Sequence, residues 1–326
     1  MTLNERAFEI IEAIAADPAR LGATWHDRAG VRVLDCGVAA PGGVEAGLLM
    51  ARAALGGLAT VTLVESPDAA LAFEGLWDDC PWDVVTVESA SPVAACLAAQ
   101  YAGWKVSQPG YFAMASGPVR AAIGREDLFD TIGLRERPAV AVGLLETAKL
   151  PPDDACATLA AAADVVADRL VLLAARTASA AGGLQVVARS LETALHKLHD
   201  LHFDLRRVES GRGAAPVPPV ADDDLAAIGR TNDAILYGGR VVLEVTGDDE
   251  SLAAIGPRCV SSGSDSYGEP FATLFERAGR DFYALDPALF APAVVEFVNV
   301  DTGRRQRFGS LAGDVVARSF GAAGKA

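Results

Sequence analysis

The sequence predicts an α/β protein, with strands and helices alternating in layers. Three observations carry that expectation. Short β-branched runs alternate with longer Ala- and Leu-rich stretches of helical spacing. Apolar residues make up 51% of the 326 positions, enough for a sizeable core. Pro and Gly cluster at the borders between the two kinds of segment.

In chain order, helical patterns are predicted at Glu5–Ala16, Val44–Ala54, Pro92–Ala102, Asp153–Arg169, Leu184–Leu201 and Asp222–Tyr237. Strands are predicted at Val31–Cys36, Thr60–Glu65, Asp83–Glu88, Ala139–Glu146, Leu170–Ala175, Arg206–Glu209, Arg240–Thr246 and Val294–Val300. Pro151-Pro152 followed by Asp153-Asp154 puts two carboxylates at a helix N-terminus, where they suit the dipole. Gly238-Gly239 is expected to stop the preceding helix through a left-handed cap. The stretch Gly211–Pro219 is too rich in Gly and Pro for regular structure and reads as an ordered loop or domain crossing. This punctuation divides the chain into domains over 1–150 and 151–326, with interweaving left open.

The net charge of −15 and pI near 4.7 disfavour nucleic acid as a partner and are compatible with a cationic ligand. No uncharged apolar run is long enough to cross a bilayer, and the longest candidate, Leu170–Ala175, reads as a buried strand. The first residues lack the basic and apolar blocks of a signal peptide, so a cytoplasmic protein is expected. Five scattered cysteines with no C-x-x-C pair read as buried free thiols, with Cys36 beside a Gly-rich turn.

Within Leu184–Leu201, Val187, Leu191, Ala194, Leu198 and Leu201 fall on a stripe about 80° wide, the core face. Arg189, Glu192, His196 and His199 gather on a side turned roughly 160° away. The spacing of Arg189 and Glu192 fits an exposed surface ion pair. That is the commoner case on base rates; the spacing also fits a cleft-lining pair in which the arginine fixes a water-activating carboxylate, and periodicity leaves both open. His196, His199 and His202 rotate too far around a helix to reach one metal, so no metal site is expected.

The turn Asp35–Gly43 could hold an anion on its amides but lacks both dinucleotide and P-loop patterns. Tyr111–Pro118 combines two aromatics with a small, flexible turn able to stack on a planar heterocycle, or simply to pack the core. Glu146 ends a strongly apolar strand and needs a partner, exposure or perturbation. The polar cluster Arg230-Thr231-Asn232-Asp233 interrupts an apolar helix and likewise needs partners. No G-x-S-x-G supports a serine triad.

Several stretches together carry a resemblance that runs nearly end to end. They include Asp35-Cys36-Gly37 with Pro41-Gly42-Gly43, Gln100-Tyr101-Ala102-Gly103-Trp104, Tyr111-Phe112-Ala113-Met114, Arg189-Ser190-Leu191-Glu192-Thr193, Ile228 to Gly238, and Tyr267-Gly268-Glu269-Pro270-Phe271. On these the chain resembles the methenyltetrahydromethanopterin cyclohydrolases. One departure is Ala115 before Ser116-Gly117-Pro118, where the family commonly has glycine.

The resemblance implies two domains with a ligand pocket between them and a homotrimer. It also implies metal-free, cofactor-free hydrolysis of a cyclic methenyl cation to a formyl derivative, within formaldehyde oxidation. It places the essential arginine and glutamate on Arg189 and Glu192, and another acidic residue on Glu146. Glu192 is then expected as general base, with Arg189 orienting and tuning it. Contacts to the pterin are expected from Tyr111, Phe112, Ser116, Gly117, Asn232 and Asp233. The rivals are the same chemistry on tetrahydrofolate, a histidine-based metal hydrolase and a non-catalytic pterin-binding protein.

Overall fold

A computed structural model describes residues 1–66, 68 and 80–321. It has the α/β character expected, with two six-stranded sheets and flanking helices among the described residues. The chain divides into two compact units that interleave along the sequence. One comprises Met1–Thr60 and Val93–Val186, the other Val61–Pro92 and Val187–Ala326. Pro151, the border suggested by punctuation, lies inside the first unit. There the chain runs from one strand through the Asp153–Ala162 helix into a parallel neighbouring strand, so the Pro-Pro pair starts a crossover helix.

The sheet of the first unit is ordered β1-β2-β8-β7-β6-β5. Its strands are β1 (Thr24–Arg28), β2 (Val31–Asp35), β5 (Trp104–Gln108), β6 (Tyr111–Ser116), β7 (Ala141–Glu146) and β8 (Leu170–Ala175). The three central strands are parallel, and antiparallel β1 and β5–β6 close the two sides. Central strands covered on both faces read as continuous apolar runs, which is why Leu170–Ala175 is so uniformly hydrophobic. Alternate side chains divide the core. Val142, Leu144, Val171 and Leu173 meet the Leu3–Ile14 and Val44–Ala54 helices through Ile11, Leu49 and Met50. Ala141, Leu145, Leu170 and Leu172 pack on the other face against Ala155, Cys156 and Leu159 of the Asp153–Ala162 helix.

The helix expected over Pro92–Ala102 is a π-helix, Val93–Gln100. The Tyr101 amide donates five residues back to Cys96 O at 2.8 Å. The second unit's sheet is ordered β12-β11-β10-β9-β4-β3. Its strands are β3 (Thr60–Val64), β4 (Val84–Ser89), β9 (Val208–Pro216), β10 (Arg240–Val245), β11 (Val294–Asn299) and β12 (Arg305–Gly309). Here β10 and β11 are parallel, while β9 is antiparallel to both its neighbours, β10 and β4.

The observed β9 corrects the expectation for Gly211–Pro219. Residues 211–216 continue a nine-residue strand paired on both sides, not a loop. Gly211 and Gly213 are two apart and therefore share a face, which the Ser190–Asp200 helix covers too closely for any side chain. The Gly238-Gly239 pair does follow the helix end at Leu236, but neither residue has a positive φ. A Cβ at 239 would stand 2.5 Å from Ile235 O, so close approach, not a left-handed cap, is what needs glycine there.

All five cysteines are free and buried, as their spacing implied, and burial pushes the Cys36 thiol far up. Among the described residues, no helix is long and apolar enough to cross a membrane.

Candidate active site

The helix predicted over Leu184–Leu201 is broken. It forms two helices, Ala180–Val187 and Ser190–Asp200, and the break at Ala188-Arg189 follows the chain's entry into the second unit at Val187. Arg189 is consequently the N-cap of the second helix, with φ −91° and ψ 8°, and Glu192 is its third residue. The Arg189 carbonyl accepts hydrogen bonds from the Thr193 amide at 2.8 Å and the Thr193 hydroxyl at 2.9 Å, which closes the first turn. A carboxylate in that turn lies at the favourable end of the helix dipole.

The exposed ion-pair reading is overturned. Arg189 retains 5% and Glu192 6% of their accessible surface. Removing two ionisable groups from water is costly, so a pair of this kind is not incidental surface decoration. The predicted core stripe holds for Leu191, Ala194 and Leu198, all buried. One residue of this helix escaped notice in the sequence. Lys197 is buried, its ammonium donates to Pro287 O, and burial holds its pKa below the ordinary lysine value. The sequence signal was available, since Lys197 adjoins Leu198 of the core stripe.

His196 lies on the partly exposed side, with Nδ1 3.6 Å from Asp200 Oδ2. The His196 and His199 ring centroids are 6.5 Å apart, and His202 follows the helix in a left-handed conformation. Among the described residues, no group of three His, Cys, Asp or Glu side chains is arranged to hold a metal.

Glu146 ends β7, half-buried, opposite Met114 and Ala175. The Tyr111–Pro118 segment is mostly strand, where a flexible turn was expected. Neighbouring residues on a strand point to opposite faces. Tyr111 is buried in the core of the first unit while Phe112 is 54% exposed, so the two rings cannot stack together on one heterocycle. Burial pushes the Tyr111 phenol up to about 12. Ser116 is buried at the end of β6. Gly117 has φ +95°, and a Cβ there would stand 2.8 Å from Leu144 Cδ1, so the turn itself requires glycine.

The Arg230–Asp233 cluster finds its partners inside the fold. Arg230 donates to Pro219 O and Val220 O, both at 3.1 Å, and Thr231 to Ala227 O at 2.9 Å. Asn232 Nδ2 donates to Ile228 O at 2.8 Å. Asp233 Oδ1 accepts from the Phe271 amide at 2.8 Å, fixing the start of the Phe271–Arg277 helix. Asp233 has no exposed surface, and its Oδ1 is engaged by that backbone amide.

The Asp35–Gly43 turn supplies its own anion. Asp35 Oδ1 accepts from the amides of Gly37 and Val38 at 3.0 and 2.7 Å. Oδ2 accepts from Ala39 and Ala40, both at 2.9 Å. The amides that looked able to hold an anion are already engaged.

An α/β protein without a serine-triad signature, carrying a covered arginine and glutamate one helical turn apart, has the equipment of an acid–base hydrolase. The family profile described as "Cyclohydrolase (MCH)" matches residues 2–320, and the chain belongs to that family. Its relatives include proteins named methenyltetrahydromethanopterin cyclohydrolase. That of Rhodopirellula baltica is 46% identical over 298 residues, covering 90% of this chain and 87% of the relative. That of Methylobacterium sp. (strain 4-46) is 43% identical, covering 98% of this chain and 97% of the relative. An archaeal relative, from Methanocella arvoryzae, is 38% identical, with 98% of both chains covered.

Proposed function

We propose that this protein catalyses the reversible hydrolysis of 5,10-methenyl-tetrahydromethanopterin to the 5-formyl derivative. Glu192 is the general base and Arg189 its orienting partner. The observation that carries the reading is the burial of this pair at the start of one helix, in a chain similar along almost its whole length to cyclohydrolases of that name.

The chemistry fits these side chains. The methenyl carbon is already electrophilic, because two nitrogens share its positive charge, so no metal is needed to polarise it. The reaction needs a water oriented towards that carbon and a base to take its proton as the C–O bond forms. A carboxylate serves as that base, and a guanidinium beside it fixes its orientation. The added hydroxyl then gives up its proton as the C=O forms, the bond from the carbon to one ring nitrogen breaks and that nitrogen takes up a proton, leaving the formyl group on the other and one proton released overall. Glu146 is assigned to offset the positive charge of the bound ring system. Of the candidate contacts, exposed Phe112 near the start of its strand is assigned as an apolar face for the pterin, and Ser116 stands at the other end of the same strand. The assembly proposed is a homotrimer, read by light scattering as three 33.7 kDa chains.

The direct test follows the methenyl absorbance when purified protein is added to methenyl-tetrahydromethanopterin, with methenyl-tetrahydrofolate as control. Rapid loss with the first substrate only is the expected result. Glu192→Gln is expected to lower kcat by about 10²–10⁴-fold, the usual contribution of a positioned base. Near-normal turnover by that variant overturns the assignment.

A further inference from the structure

We propose that Gly213, with Gly211 in support, is a positioning residue for the reaction. It forms the seat in β9 that fixes the height at which Arg189 and Glu192 stand. The inference rests on the assignment of that pair as the catalytic machinery and adds what holds the pair in place.

The Ser190–Asp200 helix begins directly over β9. A Cβ built at Gly213 would stand 2.5 Å from Ser190 Oγ, 2.8 Å from the Leu191 amide nitrogen and 3.1 Å from Leu191 Cβ. A Cβ at Gly211 would stand 2.7 Å from Leu191 Cδ1 and 3.0 Å from Leu243 Cδ2. The residues over the seat, Ser190 and Leu191, are those between the N-cap arginine and the N3 glutamate. Ser190 Oγ is itself buried and has no hydrogen-bond partner. It is held there by packing alone.

The two glycines do not meet the same kind of neighbour. At Gly213 the obstacle includes the helix backbone, which moves only if the whole first turn moves. At Gly211 the nearest obstacle is the tip of a leucine side chain, which can rotate away.

The strand cannot yield in place of the helix. Gly213 pairs with Val241 on one side and Val87 on the other, and Gly211 with Leu243 and Ser89, so β9 is held by ladders along both edges. Ordinary contact between a carbon and its neighbours is about 3.5–4.0 Å. A methyl at 213 therefore lifts the first turn by roughly 1 Å and carries Arg189 and Glu192 with it. Displacement of reacting groups by about 1 Å is enough to cost on the order of 100-fold in rate. Binding of the pterin, which depends on other surfaces, changes far less.

The experiment compares Gly213→Ala, Gly211→Ala, Gly229→Ala and Glu192→Gln, each first checked for folding by circular dichroism and thermal melting. Gly229 is another crowded glycine in the same unit, less tightly covered than Gly213, where a Cβ would stand 2.9 Å from Ala272 Cβ, away from the seat. Folded Gly213→Ala is expected to lose on the order of 100-fold in kcat with KM nearly unchanged, and to show a displaced acid limb in its kcat–pH profile. Gly211→Ala is expected to lose roughly tenfold, because a side-chain tip absorbs part of the strain. Gly229→Ala is expected to melt earlier yet turn over normally.

Folded Gly213→Ala with normal kcat and pH profile sinks the inference. If Gly213→Ala does not fold, normal turnover by Gly211→Ala sinks it instead. An equal kcat loss in Gly229→Ala also sinks it, since general softening then explains the effect. An active Glu192→Gln defeats the assignment of the base, a failure distinct from that of the seat.

Discussion

Asp35 and Asp233 are both without exposed surface, yet the fold treats them in opposite ways. Burial alone would raise the Asp35 carboxyl. The amides of Val38, Ala40, Gly37 and Ala39 outweigh that, and the group is held below the ordinary aspartate value. Asp233 receives one backbone amide and the Ser319 side chain, and its Oδ2 has no hydrogen-bond partner. Burial pushes it up to about 7, and the Ser319 side chain and the Phe271 amide draw it only part way back. The number of donors, not the depth of burial, decides whether a covered carboxylate keeps its charge.

The most severe test of this contrast is Asp35→Ala. It leaves four amides, one buried and three partly buried, without their acceptor; at about 1–3 kcal/mol for the buried one and less where water can enter, the loss is on the order of 3 kcal/mol. Urea denaturation measures it, and a loss under about 1 kcal/mol breaks the comparison.

Asp233→Asn should act with the opposite sign. Because the folded pKa stands near 7, the folded state keeps a proton that the unfolded chain releases from about pH 4 upward. Stability therefore falls as pH rises from about 4 to 7 and levels off above that. Asparagine keeps an acceptor for the Phe271 amide but carries no charge. The variant should match the parent near pH 4 and exceed it at pH 8 by up to roughly 4 kcal/mol. A parallel pair of stability–pH curves contradicts the raised pKa.

The smallest effect is expected from Asn232→Ala. Losing one internal hydrogen bond to Ile228 O costs about 0.5–1.5 kcal/mol. KM should not change, and a several-fold rise in KM would show that this cluster faces the ligand after all.

Much of the architecture was legible in the sequence, because central strands covered on both faces must be continuous apolar runs. Leu170–Ala175 and Val44–Ala54 have the boundaries predicted for them. β9 was hidden because its composition answers to a helix pressed on it, a tertiary demand that local Gly and Pro content disguises. The hairpin of β5 and β6 was hidden by Gly110 at its turn and by a short aromatic segment that read as a turn. The break before Arg189 follows from the chain's passage between units, which leaves no trace in an unbroken helical period. At the site, spacing put Arg189 and Glu192 on one helix face and the family resemblance made them candidates, but neither told their burial, because a polar face looks the same whether water or protein covers it. Tyr111 took the core-packing alternative and Phe112 the exposed face, because adjacency in sequence is opposition on a strand.

The interleaving of the two units also has a temporal side. The first unit has all its residues once the ribosome has passed position 186, but the second does not. Its β4 leaves the ribosome early, yet its partner β9 emerges only after the whole first unit, the gap running from residue 84 to residue 216. Throughout that interval the nascent chain carries a bare strand edge open to any neighbouring chain, the period when a holding chaperone matters most.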